Sequence, residues 1–295
     1  MTPALPRLFS ASFLLMASAG AAPPPAPSDA CSLAHQPLTG TLVQMPFESV
    51  DGRIYVQARV NGREPYRFAV DTGASGIGRA DMRLVSALGL SLHGETTTSD
   101  GVSKARVETA RIEALQLGEL VHRDVEVIAR DYNARNAPDA AFDGILARDF
   151  FADGLLRIDY PNSMLTFSRT EQLAASSDNA LPYTRAFRIP VTVDGHPFVA
   201  QLDTGANVGF VLPQTVFEQV SDQPLGESVR SQLTNGQLES WRAVVNGPIR
   251  VGQVSRAQME VRVSPKYPEL LVGAHALQDA VVMIDSRSQV VAVCR

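Results

Sequence analysis

Little in this 295-residue sequence suits a chemistry built on thiols or metals. It holds two cysteines and five histidines. The histidines, at 35, 93, 122, 196 and 275, have no spacing that sets two on one helix face, so no metal site is expected. Basic residues (26) are outnumbered by acidic ones (31), and no long basic run could follow a phosphate backbone, so nucleic acid is not an expected partner. There is no Walker or dinucleotide fingerprint, and no cofactor is called for. Ser75, in Gly73-Ala74-Ser75-Gly76-Ile77, lacks the second glycine of a nucleophile elbow and reads as a small polar loop residue. What remains is a chain that is 45% hydrophobic, large enough for one big or two small domains, and neither disordered, collagenous nor coiled coil.

The one long apolar run is N-terminal. Arg7 is followed by Leu8 through Met16 and then by small residues, with Ala-x-Ala sites ending at Ala19 or Ala21. The run is shorter than the roughly 20 residues that span a bilayer, so residues 1–21 read as a signal peptide. The alternative, a cytosolic protein with an apolar first strand, gives the small-residue tail no purpose. The expected location is across the inner membrane, in the periplasm, with no stable membrane insertion after cleavage. Residues 22–37 read as a proline-rich linker. Export bears on Cys31 and Cys294, because an oxidising compartment allows them to pair and tie the termini together. Cys31 is not preceded by a lipid-attachment pattern.

The chain repeats itself. Val60-Asn61-Gly62, followed within ten residues by Val70-Asp71-Thr72-Gly73-Ala74, matches Val193-Asp194-Gly195 followed by Leu202-Asp203-Thr204-Gly205-Ala206, with one residue gained or lost in the turn. Both copies read as strand, Asn-Gly or Asp-Gly turn, strand. Leu117-Gly118 recurs as Val251-Gly252, Ile145-Leu146-Ala147 as Leu271-Val272-Gly273, and Ile158-Asp159 as Ile284-Asp285. Two equivalent lobes are implied, residues 38–173 and 182–295, joined by a small and polar connector from residue 174. Val, Ile, Thr and Phe dominate between turns, so the lobes read as mainly β, with helical spacing confined to Asp81–Leu90, 147–152 and Pro213–Val220. Further hairpin turns at Asp100-Gly101 and Asn235-Gly236 are candidate flaps.

One Asp-Thr-Gly arises by chance in roughly one chain in twenty of this length. Two copies, each after an apolar strand, each followed by Ala and each inside a wider repeat, exclude coincidence. On these motifs the chain resembles the pepsin and retropepsin superfamily of aspartic proteases in its two-lobed, single-chain form, over nearly all of residues 50–295. The resemblance implies two lobes about a pseudo-two-fold axis with a catalytic cleft between them, and it makes Asp71 and Asp203 the catalytic pair. Two aspartates sharing one proton supply both the base that activates water and the acid that protonates the carbonyl. Glycine at 73 and 205 clears the place where each loop nears its partner. By resemblance Thr72 and Thr204 hydrogen-bond across to the opposite loop. Ala74 and Ala206 are similar to retroviral-type enzymes. Pepsin-like ones carry a hydroxyl there that lowers the pKa, so activity is expected from mildly acidic to near-neutral pH.

Two departures from the family stand out. The apolar-apolar-Gly element is intact at Leu271-Val272-Gly273 but reads Ile145-Leu146-Ala147 in the first lobe, which implies a displaced or relaxed geometry. Arg148-Asp149 follows it as in retroviral-type proteins, or forms a structural surface pair. No tyrosine lies between Tyr66 and Tyr132, where pepsin-like flaps have one, and Trp241 is either a wall of the cleft or a packing residue. The expected function is an exported endopeptidase acting on peptide or protein substrates, with a monomer sufficient for catalysis. The alternative is a non-catalytic peptide- or protein-binding module on the same fold, or a structural envelope protein.

Overall fold

A computed structural model describes Met1 and residues 29–295 except 64, 135 and 186; the signal-peptide expectation lies outside the described residues. The fold is mainly β, 51% strand and 11% helix, in two lobes that share one sheet. The first lobe is an eight-stranded sheet and the second a nine-stranded one. In each, a hairpin delivers the Asp-Thr-Gly loop. Strand Arg53–Val60 turns through Asn61 and Gly62, both at positive φ, into Pro65–Asp71, and Arg188–Val193 turns through Asp194 and Gly195, also at positive φ, into His196–Asp203. Successive left-handed residues match the twist of the flanking strands, which is why Asn-Gly and Asp-Gly occupy these turns. The second turn is tight, Val193 facing His196; the first is longer, Arg59 facing Pro65. The strand ending at Asp71 then pairs in parallel with Gly144–Ala147, and that ending at Asp203 with Leu270–Gly273, so Asp71 stands beside Ala147 and Asp203 beside Gly273.

The third sheet belongs to both halves of the chain. Its six strands run Thr41–Pro46, Met164–Ser168, Leu155–Asp159, Val281–Asp285, Val290–Cys294 and Leu181–Pro182. At its centre Leu156 faces Ile284, Arg157 faces Met283 and Ile158 faces Val282. Under the 126-residue offset of the repeat, Leu156 becomes Val282, Ile158 becomes Ile284, and Arg157 becomes Met283, its own partner. The pseudo-two-fold axis therefore passes through this pair. Val281–Asp285 and Val290–Cys294 are buried at every position, as expected of strands covered on both faces.

Short helices, Met82–Leu88 and Gln214–Val220, follow each loop. The buried Asp81 caps the first, accepting from Arg83 N–H at 2.9 Å, and Gly89 ends it in the left-handed conformation. Arg148–Phe151 forms a 3₁₀ turn. The linker expected over 22–37 is corrected at its C-terminal end. Ala30–Ala34 is a 3₁₀ helix capped by Asp29, and Ala30, Cys31 and Ala34 are buried against the shared sheet. Cys31 is bonded to Cys294, across a separation of 263 residues.

Candidate active site

The two Asp-Thr-Gly loops meet on the axis and are bonded reciprocally. Thr72 N–H donates to Thr204 Oγ1 at 3.1 Å, and Thr204 N–H to Thr72 Oγ1 at 3.0 Å. Each hydroxyl passes on through the partner lobe, Thr204 to the Val70 carbonyl at 3.0 Å and Thr72 to that of Leu202 at 3.4 Å. Both threonines are buried, so leaving any of these groups unpaired would be costly. The carboxyl groups are held from below: Asp71 Oδ1 accepts from Ala74 N–H at 2.9 Å, and Asp203 Oδ1 from Gly205 N–H at 2.8 Å. A Cβ placed on Gly73 would collide with the Asp203 carboxyl, and one on Gly205 with that of Asp71. Each carboxyl therefore lies against the glycine of the opposite loop, and only the residue without a side chain leaves room for it.

Behind the loops the two lobes reach one geometry with glycine in different places. Ala147 and Arg148 N–H donate to Ile77 and Ala74 carbonyls at 3.1 Å each, as Gly273 and Ala274 do to Gly209 and Ala206 at 2.8 Å each. A Cβ at Gly273 would strike the Val208 carbonyl. The residue equivalent to Val208 is Gly76, which stands at φ 85°, and the first lobe accommodates a methyl at 147. The left-handed Gly76 is a local difference between the lobes next to the alanine, while Asp71 pairs with Ala147 in the same register as Asp203 with Gly273.

A protein-family model described as aspartyl protease matches residues 56–150 and again 189–279. The chain belongs to the aspartyl protease family. A comparison with curated proteins gives no match.

In this family member burial and like charge act together on the pair. Burial, and next the charge of Asp71, push the Asp203 carboxyl up to about 7, against smaller opposing effects of Gly205 N–H and Arg53. Arg53, from the first lobe, donates to the Gly205 carbonyl at 2.7 Å and so braces the second loop. Two like charges this close resist joint ionisation, which favours one shared proton.

The pair opens into a cleft of about 1580 Å³. Over it lie the two flap hairpins, Leu92–Ser99 with Lys104–Leu117 and Ser228–Gln232 with Gln237–Val245. Asp100, Gly101, Asn235 and Gly236 all line the cleft, and the tips clasp each other. Asn235 N–H donates to Asp100 Oδ2 at 2.7 Å, Asn235 Nδ2 to the Ser103 carbonyl at 3.0 Å, and Arg130 Nη1 to Asn235 Oδ1 at 2.7 Å. Of the two readings left open for Trp241, the cleft wall is the one to correct: Leu238 and Ser240 line the cleft and Trp241, on the other face of the strand from Ser240, does not. The aromatic residues that line the cleft are instead Tyr132, Phe142 and Tyr267. Burial raises both tyrosine pKa values. Tyr267 packs under the first flap, where a Cβ at Gly101 would touch its ring at 3.5 Å. Its sequence neighbourhood, Lys266-Tyr267-Pro268, carried no signal that could have found it. Among the described residues no cluster of three His, Cys, Asp or Glu could hold a metal ion.

Proposed function

We propose that the chain is an aspartic endopeptidase of the retropepsin-like kind, exported to the periplasm, which binds an extended peptide beneath the two flaps and cleaves it with water. The observation that carries this reading is the reciprocal arrangement of Asp71 and Asp203, each carboxyl against the opposite lobe's Asp-Thr-Gly glycine. With the proton on Asp203, the ionised Asp71 takes a proton from water as its oxygen attacks the carbonyl carbon, and Asp203 protonates the carbonyl oxygen. The tetrahedral diol then collapses: Asp71 passes its proton to the nitrogen, the C–N bond breaks, and a diol hydroxyl gives its proton to Asp203 as the carboxylic acid product forms, so the pair again shares one proton. Alanine after both Asp-Thr-Gly loops supports the retropepsin-like assignment. Backbone pairing with the flap strands would position the substrate.

The test is cleavage of a diverse peptide library across pH 3–8 by the purified chain, beside Asp71→Asn and Asp203→Asn variants shown to be folded. Cleavage that both variants lose, with an optimum between mildly acidic and neutral pH, is the expected result. Binding of peptides without cleavage at any pH would replace the enzyme by a binding module, and an optimum below about pH 3 would refute the role given to Ala74 and Ala206.

A further inference from the structure

We propose that the cleft selects peptides with acidic side chains on both sides of the scissile bond, read by Arg79 from the first lobe and Arg262 from the second. The location of the scissile bond rests on the peptidase reading above; the recognition of acidic groups does not. The chain as a whole carries a net charge of −5, yet eight arginines and no lysine line its cleft, against five carboxyl groups, two of which are Asp71 and Asp203. Several of these arginines are already held by the protein, Arg130 by Asn235 and Arg188 by Glu269 at 2.6 Å among them. Arg79 and Arg262 are different.

Arg79 is only 6% exposed, and its Nε has no acceptor. Its guanidinium stands beside the Tyr132 hydroxyl, a neutral group. Arg262 has a buried Nη1 with no acceptor. Among the described residues neither has a carboxylate partner. A buried guanidinium nitrogen without an acceptor is disfavoured, and where the arginine faces a cleft with no carboxylate of its own, its natural counterion is one brought by the ligand. A carboxylate suits it best, since the planar fork of arginine matches its two oxygens.

The placement is also two-sided. In the first lobe Arg79 lies between Ile128 and Ile145 on the neighbouring strands. In the second lobe the same register reads Arg262, Val211, Leu271. Each lobe thus contributes one arginine to the same row, but shifted by one strand. Arg79 is two strand spacings, about 10 Å, from its Asp-Thr-Gly strand, and Arg262 three, about 14 Å. The acidic position on the first-lobe side should accordingly lie nearer the scissile bond than that on the second.

The experiment uses matched peptides that differ only by Glu→Gln at one position on either side of a cleavage site, with kcat/KM measured for each. The wild type is expected to favour the acidic member by about 10- to 100-fold. In Arg79→Met the ratio should fall to near one on one side of the scissile bond, and in Arg262→Met on the other. The ratio is internal to each variant, so a general loss of activity cancels. Equal cleavage of both members by the wild type overturns the inference and leaves the peptidase reading intact. If nothing is cleaved, binding of the same pairs decides. Acidic peptides held at least tenfold tighter, and released by Arg79→Met, keep the inference while the peptidase reading fails; equal binding overturns both. Should a variant fail to fold, the wild-type ratio as a function of pH is enough. It should collapse toward one below about pH 4, as the substrate glutamate protonates, and a ratio that ignores pH overturns the inference.

Discussion

Replacing Asp203 by Asn is expected to stabilise the folded chain at neutral pH although it removes one carboxyl of the pair. The carboxyl is raised from its ordinary value of 3.8 to about 7, by burial first and by the charge of Asp71 second. At about 1.36 kcal/mol per unit, the rise corresponds to roughly 4 kcal/mol by which ionised Asp203 opposes folding at pH 7. The sign follows from proton counting. Between about pH 4 and 7 the folded chain holds a proton that the unfolded chain has released, so stability is full below the unfolded value and is lost as pH rises through the folded one. Asn carries no charge at any pH and escapes that loss. At about 2 cal/mol/K of unfolding entropy per residue, 4 kcal/mol amounts to roughly 7 °C in Tm. Thermal unfolding followed by circular dichroism at pH 4, 5, 6 and 7 should show wild type and Asp203→Asn melting together at pH 4 and the variant melting about 7 °C higher at pH 7. Asp71→Asn, which removes the neighbouring charge, should shrink the pH dependence as well. Equal melting temperatures at pH 7, or a variant weaker by the same amount at every pH, would refute the reasoning. Either result would mean that Gly205 N–H and Arg53 outweigh burial and the charge of Asp71.

Other expectations concern packing and motion. Gly205→Ala forces a methyl onto the Asp71 carboxyl; a displacement near 1 Å at the reacting groups should lower kcat by about 100-fold or more, read from steady-state cleavage of the best library peptide. Asp100→Ala removes the acceptor that holds Asn235 across the flap tips, and amide hydrogen exchange at residues 98–103 and 233–236 should quicken by about tenfold while the shared sheet is unaffected. Converting both Cys31 and Cys294 to Ser frees the termini from a 263-residue separation, and denaturant unfolding should show a loss of up to about 5 kcal/mol, less if native strain offsets the entropy.

The repeat made much of the fold legible. Positive-φ pairs such as Asn61-Gly62 and Asp194-Gly195 are written in the residues themselves, because few other dipeptides adopt that turn, and the alternating strands on either side place Asp71 and Asp203 at equivalent positions. The helices after each loop were legible for the same local reason, as apolar spacing with Asp81 or Pro213 at the start. What surrounds Ala147 could not be read locally, because Gly76 and Ile77 lie on another segment that only packing brings beside it. Trp241 stayed between two readings because a lone aromatic residue near a turn says nothing about which face of the strand it takes.

Local chemistry and internal symmetry are properties of the sequence alone. They determined two β lobes, two Asp-Thr-Gly loops and the flap turns, since each depends on neighbours a few residues apart or on one segment resembling another. Tertiary structure decided what depends on distant segments meeting. It threads Leu155–Asp159 against Val281–Asp285 so that Arg157 faces Met283 on the axis, and it sets Gly73 against Asp203 and Gly205 against Asp71. It also brings Arg79 and Arg262 into one row of the cleft from different strands of the two lobes. No local pattern encodes these, because burial, charge and register at each place are set by residues far away in the chain.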